Sequence, residues 1–316
     1  MFKFLKKNAF ILFLILSILG GFLVNDTLFV AAEENDVHLV LDTKNITNLP
    51  HNFRTTSNLD NLETVPNLNL KGLDTLNSSG SQQFSPENLS LLVNEIKTEL
   101  PIAIVDLRQE SHGFINEYPV SWKNAKNNAN AGLSKKEVIY NEINSLNSIP
   151  IGAPLKFFNH PELNVVPKKV FSENQLVTSN SMSYVRIPVT DGKLPTDDMV
   201  DYFIEYINTM PKNTWLHFHC KEGIGRTTTF MIMYDIVKNY KNATLDEIIQ
   251  RQLALSGLKE HNIASFPTKE RLDFFTNFYN YVQEQEGNFK TTWSDWLKKN
   301  NTSITLNEVN KFDICA

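Results

Sequence analysis

Cysteine is nearly absent: Cys220 and Cys315 are the only two in 316 residues. That excludes the disulfide framework small secreted domains rely on, so the core must stand on packing. Cys/His clusters at metal-ligand spacing are missing as well, which argues against a structural zinc site and leaves no metal or other cofactor indicated. Positive charge is also in short supply, with 30 basic against 35 acidic side chains and a formal net charge of -5. A surface of that sign argues against broad nucleic-acid or anionic-membrane binding and requires a polyanionic substrate to meet a local basic pocket. No internal repeat is visible. The composition, 41% hydrophobic and 21% charged, is that of a chain able to bury one sizeable core or two modest ones.

One apolar run stands out. Lys3, Lys6 and Lys7 precede an unbroken stretch from Phe10 to Val24, and Val30-Ala31-Ala32 follows with small residues. This is the layout of a secretory signal, and the run is shorter than the roughly 20 residues a spanning helix needs. The alternative is an uncleaved anchor. With residues 1–32 taken as a signal peptide, the mature chain 33–316 starts near Glu33, carries 27 basic against 34 acidic residues (-7), and is secreted or periplasmic with no stable membrane association. No cysteine near residue 32 offers a lipidation site there.

Residues 33–83 lack a sustained period and read as an extended lead-in with short strands at most. Ser85-Pro86 then forms an N-cap and first-turn pair ahead of Leu89, Leu92, Val93, Ile96 and Leu100 at helical spacing. Pro101 to Leu107 is a short apolar run of the kind a buried parallel strand gives. From about 110 to 180 the pattern loosens into an inserted small subdomain. Strand character returns at Tyr184 to Val189, followed by an amphipathic helix with Met199, Phe203, Tyr206, Ile207 and Met210, a strand at Trp215 to Phe218, and a buried helix from Arg226 to Val237. A helix opened by the Thr244/Glu247 pair and another over about 267–285 complete the order. Alternating strands and helices predict an α/β fold with a mostly parallel central sheet, helices on its faces, and a ligand site beyond the carboxyl ends of the strands.

The chemistry lies between the last strand and the buried helix, in His219-Cys220-Lys221-Glu222-Gly223-Ile224-Gly225-Arg226-Thr227. A loop curling into a helix N-terminus aims several backbone N–H groups at one spot, where the helix dipole adds positive potential. An anion belongs there, so residues 221–226 form the predicted phosphate cradle. Gly223 and Gly225 supply the positive-φ angles such a nest needs and keep side chains off the phosphate. Arg226 offers a planar fork for two phosphate oxygens. Cys220 shares that field, which favours thiolate over thiol and makes it a nucleophile. Thr227 donates its hydroxyl toward the sulfur, and His219 orients the loop. A Cys220–Cys315 bridge would remove the thiol this scheme needs.

Cleaving an alkyl phosphate expels a poor leaving group, so an acid must deliver a proton. Asp191 follows strand 184–189 at the same end of the sheet and is the candidate; Asp191-Gly192 is equally a turn dipeptide. Asp197 and Asp198 stand closer to the next helix start, where carboxylates cap or meet the dipole.

The spacing H-C-x5-R-T is the signature of the protein tyrosine phosphatase superfamily. Together with Trp215 to Cys220, Asp106-Leu107-Arg108-Gln109-Glu110-Ser111-His112-Gly113-Phe114, Asn52-Phe53-Arg54 and Trp293 to Leu297, it makes the chain resemble the bacterial cysteine phytases, tyrosine-phosphatase-like inositol polyphosphatases. The resemblance runs from about residue 48 to that final segment. It implies a small, partial β-barrel subdomain built from the insertion, and a deep basic pocket that takes phytate and lower inositol phosphates without cofactors. Cys220 would be nucleophile, Arg226 clamp, Asp191 acid and Arg54 a substrate contact. Lys168 or Lys169, Lys269 and Arg271 are further candidates for substrate phosphates. Glu110 and His112 line the pocket or brace the loop. Gly192 stands where the family commonly has His after the acid, and Leu194 replaces an expected Trp. Two rival readings remain: a protein tyrosine or dual-specificity phosphatase, and a phosphate-binding module without turnover.

Overall fold

A computed structural model describes residues 36–59, 62, 65–257, 266 and 268–300. The expected signal segment, Cys315 and Pro267 lie outside the described residues. The five-stranded central sheet contains β2 (Arg54–Thr55), β3 (Ser78–Gln82), β4 (Ile102–Arg108), β10 (Ser183–Val189) and β11 (Trp215–Cys220), in the order β10-β4-β11-β3-β2. Three of its pairings are parallel and only the short β2 runs antiparallel, against β3. Register brings His219 beside Asp106 and Cys220 beside Gln82, so the chemistry-bearing ends of β3, β4 and β11 lie together.

Side chains alternate across the sheet, as the pleat dictates. Ala103, Val105, Leu107, Leu216 and Phe218 enter one apolar core with α4 (Asp197–Thr209), α5 (Gly225–Asn239), α6 (Leu245–Leu255) and α7 (Lys269–Gln285). On the opposite face Ile104 and Trp215 pack with Phe84, Leu89 and Leu92, the latter two on α1 (Pro86–Ile96). Asp106, Arg108, His217 and His219 share that second face, which is why a polar network runs beneath the loop.

The interval 110–180 holds β5 (His112–Ile115), β6 (Tyr118–Lys123), α2 (Lys135–Asn147), the hairpin β7 (Leu155–Phe157) and β8 (His160–Val165), β9 (Val170–Phe171) and α3 (Glu173–Ser179). A second sheet, ordered β1-β6-β5-β9, takes its edge strand β1 (His38–Leu41) from the lead-in. The second sheet is therefore built from two separated segments of the chain. The lead-in also supplies β2 and β3, short strands as its composition suggests, and these two join the central sheet. Helices α2 and α3 each start on a reciprocal capping box, Ser134 with Glu137 and Ser172 with Gln175, as α6 does with Thr244 and Glu247.

Candidate active site

Strand β11 ends at Cys220 and α5 begins at Gly225, leaving the four residues 221–224 as the cradle. Gly223 has φ +72°, and a Cβ there would lie 2.3 Å from the Gln82 nitrogen, so only glycine fits. Gly225 departs from expectation: it is not among the positive-φ glycines, and beyond its own helix and chain neighbours an added Cβ would meet, among the described residues, only Nη2 of Arg271, at 3.8 Å. The first turn of α5 already supplies its angles, and its side-chain-free surface faces Arg271. Cys220 is a free thiol, 3% exposed, and Thr227 Oγ1 donates to its Sγ at 3.2 Å.

Arg226 is buried and fixed from one side. Its Nη1 and Nη2 donate to Glu110 Oε2 and Oε1 at 2.7 and 3.0 Å, and Nη1 also donates to the Val189 carbonyl at 3.0 Å. Burial opposes its charge, but Glu110 and Cys220 raise its pKa above the ordinary value. Glu110 is in turn held well below the carboxylate range, where burial is overcome by Arg226 and Arg108. Arg108 extends the chain of charges, donating through Nε to Glu110 at 2.9 Å and through Nη1 to Asp42 at 2.7 Å. Of the two roles open to Glu110, bracing is the one observed.

Asp191 is brought to the same guanidinium, with Oδ1 3.1 Å from Arg226 Nη2. Its Oδ2 accepts from Asn127 Nδ2 at 2.7 Å, and its side chain is 42% exposed. The Asp191-Gly192 turn is also real: Lys193 N donates to the Thr190 carbonyl at 3.0 Å and Gly192 has φ +73°, as a type II turn requires. The turn carries the acid candidate to the clamp. Asp197 and Asp198 begin α4, and Asp197 accepts from Trp293 Nε1 at 2.8 Å.

Beneath the loop, His219 Nε2 and Glu173 Oε1 are 2.7 Å apart, and Gln83 Nε2 donates to Glu173 Oε2 at 2.7 Å. His112 Nε2 lies 3.1 Å from Asp106 and 3.3 Å from Glu173, while Arg186 Nη1 donates to Asp106 at 2.6 Å and to Glu142 at 3.1 Å. Burial works against a charged His112, yet Asp106 prevails and pushes its pKa up to about 10. Burial likewise opposes charge on Glu173, but His219 and the hydrogen bond with His112 bring it down to about 2. Asp106, Glu173 and His219 present ligand atoms within 4.8 Å of one another, but two cationic side chains, His112 and Arg186, contact the same carboxylates. The carboxylates of this donor set are matched by ion pairs. His217, between Ser79 Oγ at 2.9 Å and Ser81 Oγ at 3.1 Å, is held neutral by burial and by His219.

The remaining predicted residues divide. Lys221, Glu222 and Ile224 form the cradle, with Lys221 Nζ 4.0 Å from Asp42. Arg271 reaches the start of α5. Lys269 is exposed and pairs with Asp273 at 2.6 Å, and Lys168 and Lys169 lie exposed beside Asn116 at the edge of the second sheet. Arg54, implied as a substrate contact, is 5% exposed and turned to the outer side of the loop, donating to the Gly223 carbonyl at 2.8 Å and to Thr228 Oγ1 at 2.9 Å. It braces the loop in this conformation. Asn127 was not foreseen: an Asn in an Asn-rich stretch carries no signal of a carboxylate partner 64 positions away.

A parallel sheet whose strand-loop-helix cradle holds Cys, Arg and Thr at this spacing defines the tyrosine-phosphatase-like class. The family model PTPlike_phytase, described as "Inositol hexakisphosphate", matches residues 134–238. A PTP-like phytase from Bdellovibrio bacteriovorus is 33% identical with a TM-score of 0.69, the match covering 83% of this chain and 94% of that one. The PTP-like myo-inositol phosphatase from Mitsuokella multacida, solved with myo-inositol-(1,3,4,5)-tetrakisphosphate, is 33% identical with a TM-score of 0.74, over 84% of this chain and 48% of that one. The effector protein hopD2 of Pseudomonas syringae pv. tomato is 27% identical over 78% of this chain and 56% of its own length. This chain thus spans about half the length of those last two relatives. It belongs to the PTP-like phytase family.

Proposed function

We propose that the protein hydrolyses phosphate monoesters of inositol polyphosphates, phytate among them, through a phosphocysteine, after export and loss of residues 1–32. The observation that carries the reading is the state of Arg226. Among the described residues its buried Nε has no hydrogen-bond partner, and the adjacent Nη2 meets Asp191 at 3.1 Å. A buried donor without a partner is costly unless something completes it. A phosphate on Cys220 would supply two oxygens to that fork while leaving the Glu110 contacts in place.

In the first step the Cys220 sulfur attacks phosphorus, the P–O bond to the inositol oxygen breaks, and Asp191 gives that oxygen its proton. In the second, Asp191 takes a proton from water as the water oxygen attacks phosphorus, the S–P bond breaks, and inorganic phosphate leaves. Arg226 and the loop amides hold the phosphoryl oxygens throughout. Lys221 and Arg271, beside the loop of an otherwise acidic chain, favour a substrate with further phosphates.

The test compares phytate with a phosphotyrosine peptide, without added metal, for wild type and Cys220→Ser. Phosphate release from phytate by wild type alone is the expected result. Preference for the peptide would overturn the substrate class, and equal release by both proteins would remove Cys220 from the mechanism. Export is checked by N-terminal sequencing of protein recovered from the medium or periplasm, where a start near Glu33 is expected.

A further inference from the structure

The outer side of the cradle shows a regular arrangement. Three successive loop carbonyls are each held from outside: Lys221 O accepts from the Gln83 backbone N at 3.2 Å, Glu222 O from Asn52 Nδ2 at 2.8 Å, and Gly223 O from Arg54 Nη1 at 2.8 Å. A fourth, Ile224 O, accepts from Thr228 N at 3.0 Å as α5 begins. In a planar trans peptide the carbonyl and the following N–H point in opposite directions. Fixing those three oxygens toward β2 and β3 therefore turns the N–H groups of Glu222, Gly223 and Ile224 the other way. Among the described residues, none of those three donates to a protein acceptor.

From this we infer that Asn52 and Arg54 are positioning residues for the phosphate cradle: by holding the Glu222 and Gly223 carbonyls outward, they aim successive main-chain donors at the anion before it arrives. The inference rests on the proposed phosphatase reading. Isolated peptides of such a loop would have two ways to face, and a carbonyl turned inward would set a negative dipole against a phosphate oxygen. The close approach of Gly223 to Gln82 and Ser81 adds a steric wall behind the same peptides. Arg54 also bonds Thr228 Oγ1, so one guanidinium ties the loop to the first turn of the helix. The charge on Arg54 is disfavoured by burial, which lowers its pKa to about 10, with Cys220 working in the opposite direction. Arg54 thus acts on the anion through the loop.

The test uses the full chain with Asn52→Ala and Arg54→Lys, measuring orthophosphate affinity by calorimetry, KM and kcat on p-nitrophenyl phosphate, and the thermal midpoint. Asn52 is partly exposed and holds φ +56°, an angle alanine adopts at some cost in stability, so the thermal midpoint separates that cost from the effect on binding. The expected result is about a tenfold weaker orthophosphate dissociation constant and a matching rise in KM for Asn52→Ala, out of proportion to any fall in thermal midpoint. Variants that lose stability yet bind orthophosphate as wild type does would reduce the Asn52 and Arg54 contacts to a scaffold and overturn the inference alone. Wild type that binds no orthophosphate would instead overturn the phosphatase reading, and the inference with it.

Discussion

Glu110 meets Arg226 end to end, its two carboxylate oxygens receiving Nη1 and Nη2 at 2.7 and 3.0 Å while both side chains are buried. A fork gripped at its tip leaves its Nε edge as the face that the proposed phosphate would meet. Removing the charge in Glu110→Gln breaks that grip and leaves Arg226 and Arg108 sharing a neutral amide. The cost to stability is expected at roughly 3 kcal/mol, as for a buried ion pair that loses one partner. The loss in kcat/KM on phytate is expected at about 100-fold, in the range seen when one aimed transition-state donor is disturbed. Denaturant unfolding and steady-state kinetics check both; an enzyme less stable but unchanged in kcat/KM would sever the link between Glu110 and the clamp.

Asp191→Asn keeps the contact with Arg226 but has no proton to give. Turnover of phytate, whose alcohol leaves poorly, is expected to fall by about 100-fold or more. Turnover of p-nitrophenyl phosphate, whose leaving group needs little protonation, is expected to fall much less. Equal losses on the two substrates would point to a positional role for Asp191 in place of proton transfer.

How much of this was legible in the chain depends on how local each feature is. Strands β4, β10 and β11 declared themselves as short apolar runs, and the cradle is contiguous in sequence. Strand β3 did not, because Ser78-Ser79-Gly80-Ser81-Gln82 has no apolar period; its residues are small because α5 lies close above, and a Cβ on Gly80 would meet Met231 Sδ and Thr227 Cγ2 at 2.7 Å. Helices α2 and α3 were hidden in polar stretches, although Ser134/Glu137 and Ser172/Gln175 carried the same capping string that revealed α6. The brace on Arg226 joins residues 116 apart and the Arg54 contact to Gly223 joins residues 169 apart, so no spacing rule announces either.

Gly223→Ala tests the steric wall. The new methyl would meet Gln82 N at 2.3 Å in a backbone region L-residues avoid. Strain and overpacking together predict a loss of roughly 3 kcal/mol in unfolding free energy. Gly225→Ala, whose added Cβ would lie 3.8 Å from Arg271 Nη2, an ordinary van der Waals distance, is expected to fold with near wild-type stability. Thermal melts of the pair distinguish the two glycines, and equal destabilisation would contradict the geometry.

The ion-pair net under the loop predicts how stability follows pH. His112 has its folded pKa raised from 6.5 to about 10, so its contribution is complete below the unfolded value and is lost as pH rises through about 10. Glu173 has its folded pKa lowered from 4.5 to about 2, so its contribution is complete above the unfolded value and is lost as pH falls toward 2. Between the two unfolded values both contributions are complete, so the denaturation midpoint should vary little from about pH 5 to 6 on their account and begin to fall as pH rises past 6.5. Glu173→Gln removes a titrating group from the acid limb and leaves His219 and His112 without one carboxylate partner. Its midpoint is expected to be lower near neutrality and to fall less steeply below pH 4.5, the value from which Glu173 is shifted. His112→Gln should act in the mirror sense, with a flatter alkaline limb. Urea melts across the range for the three proteins check this, and parallel curves for all three would show that neither group carries the linkage.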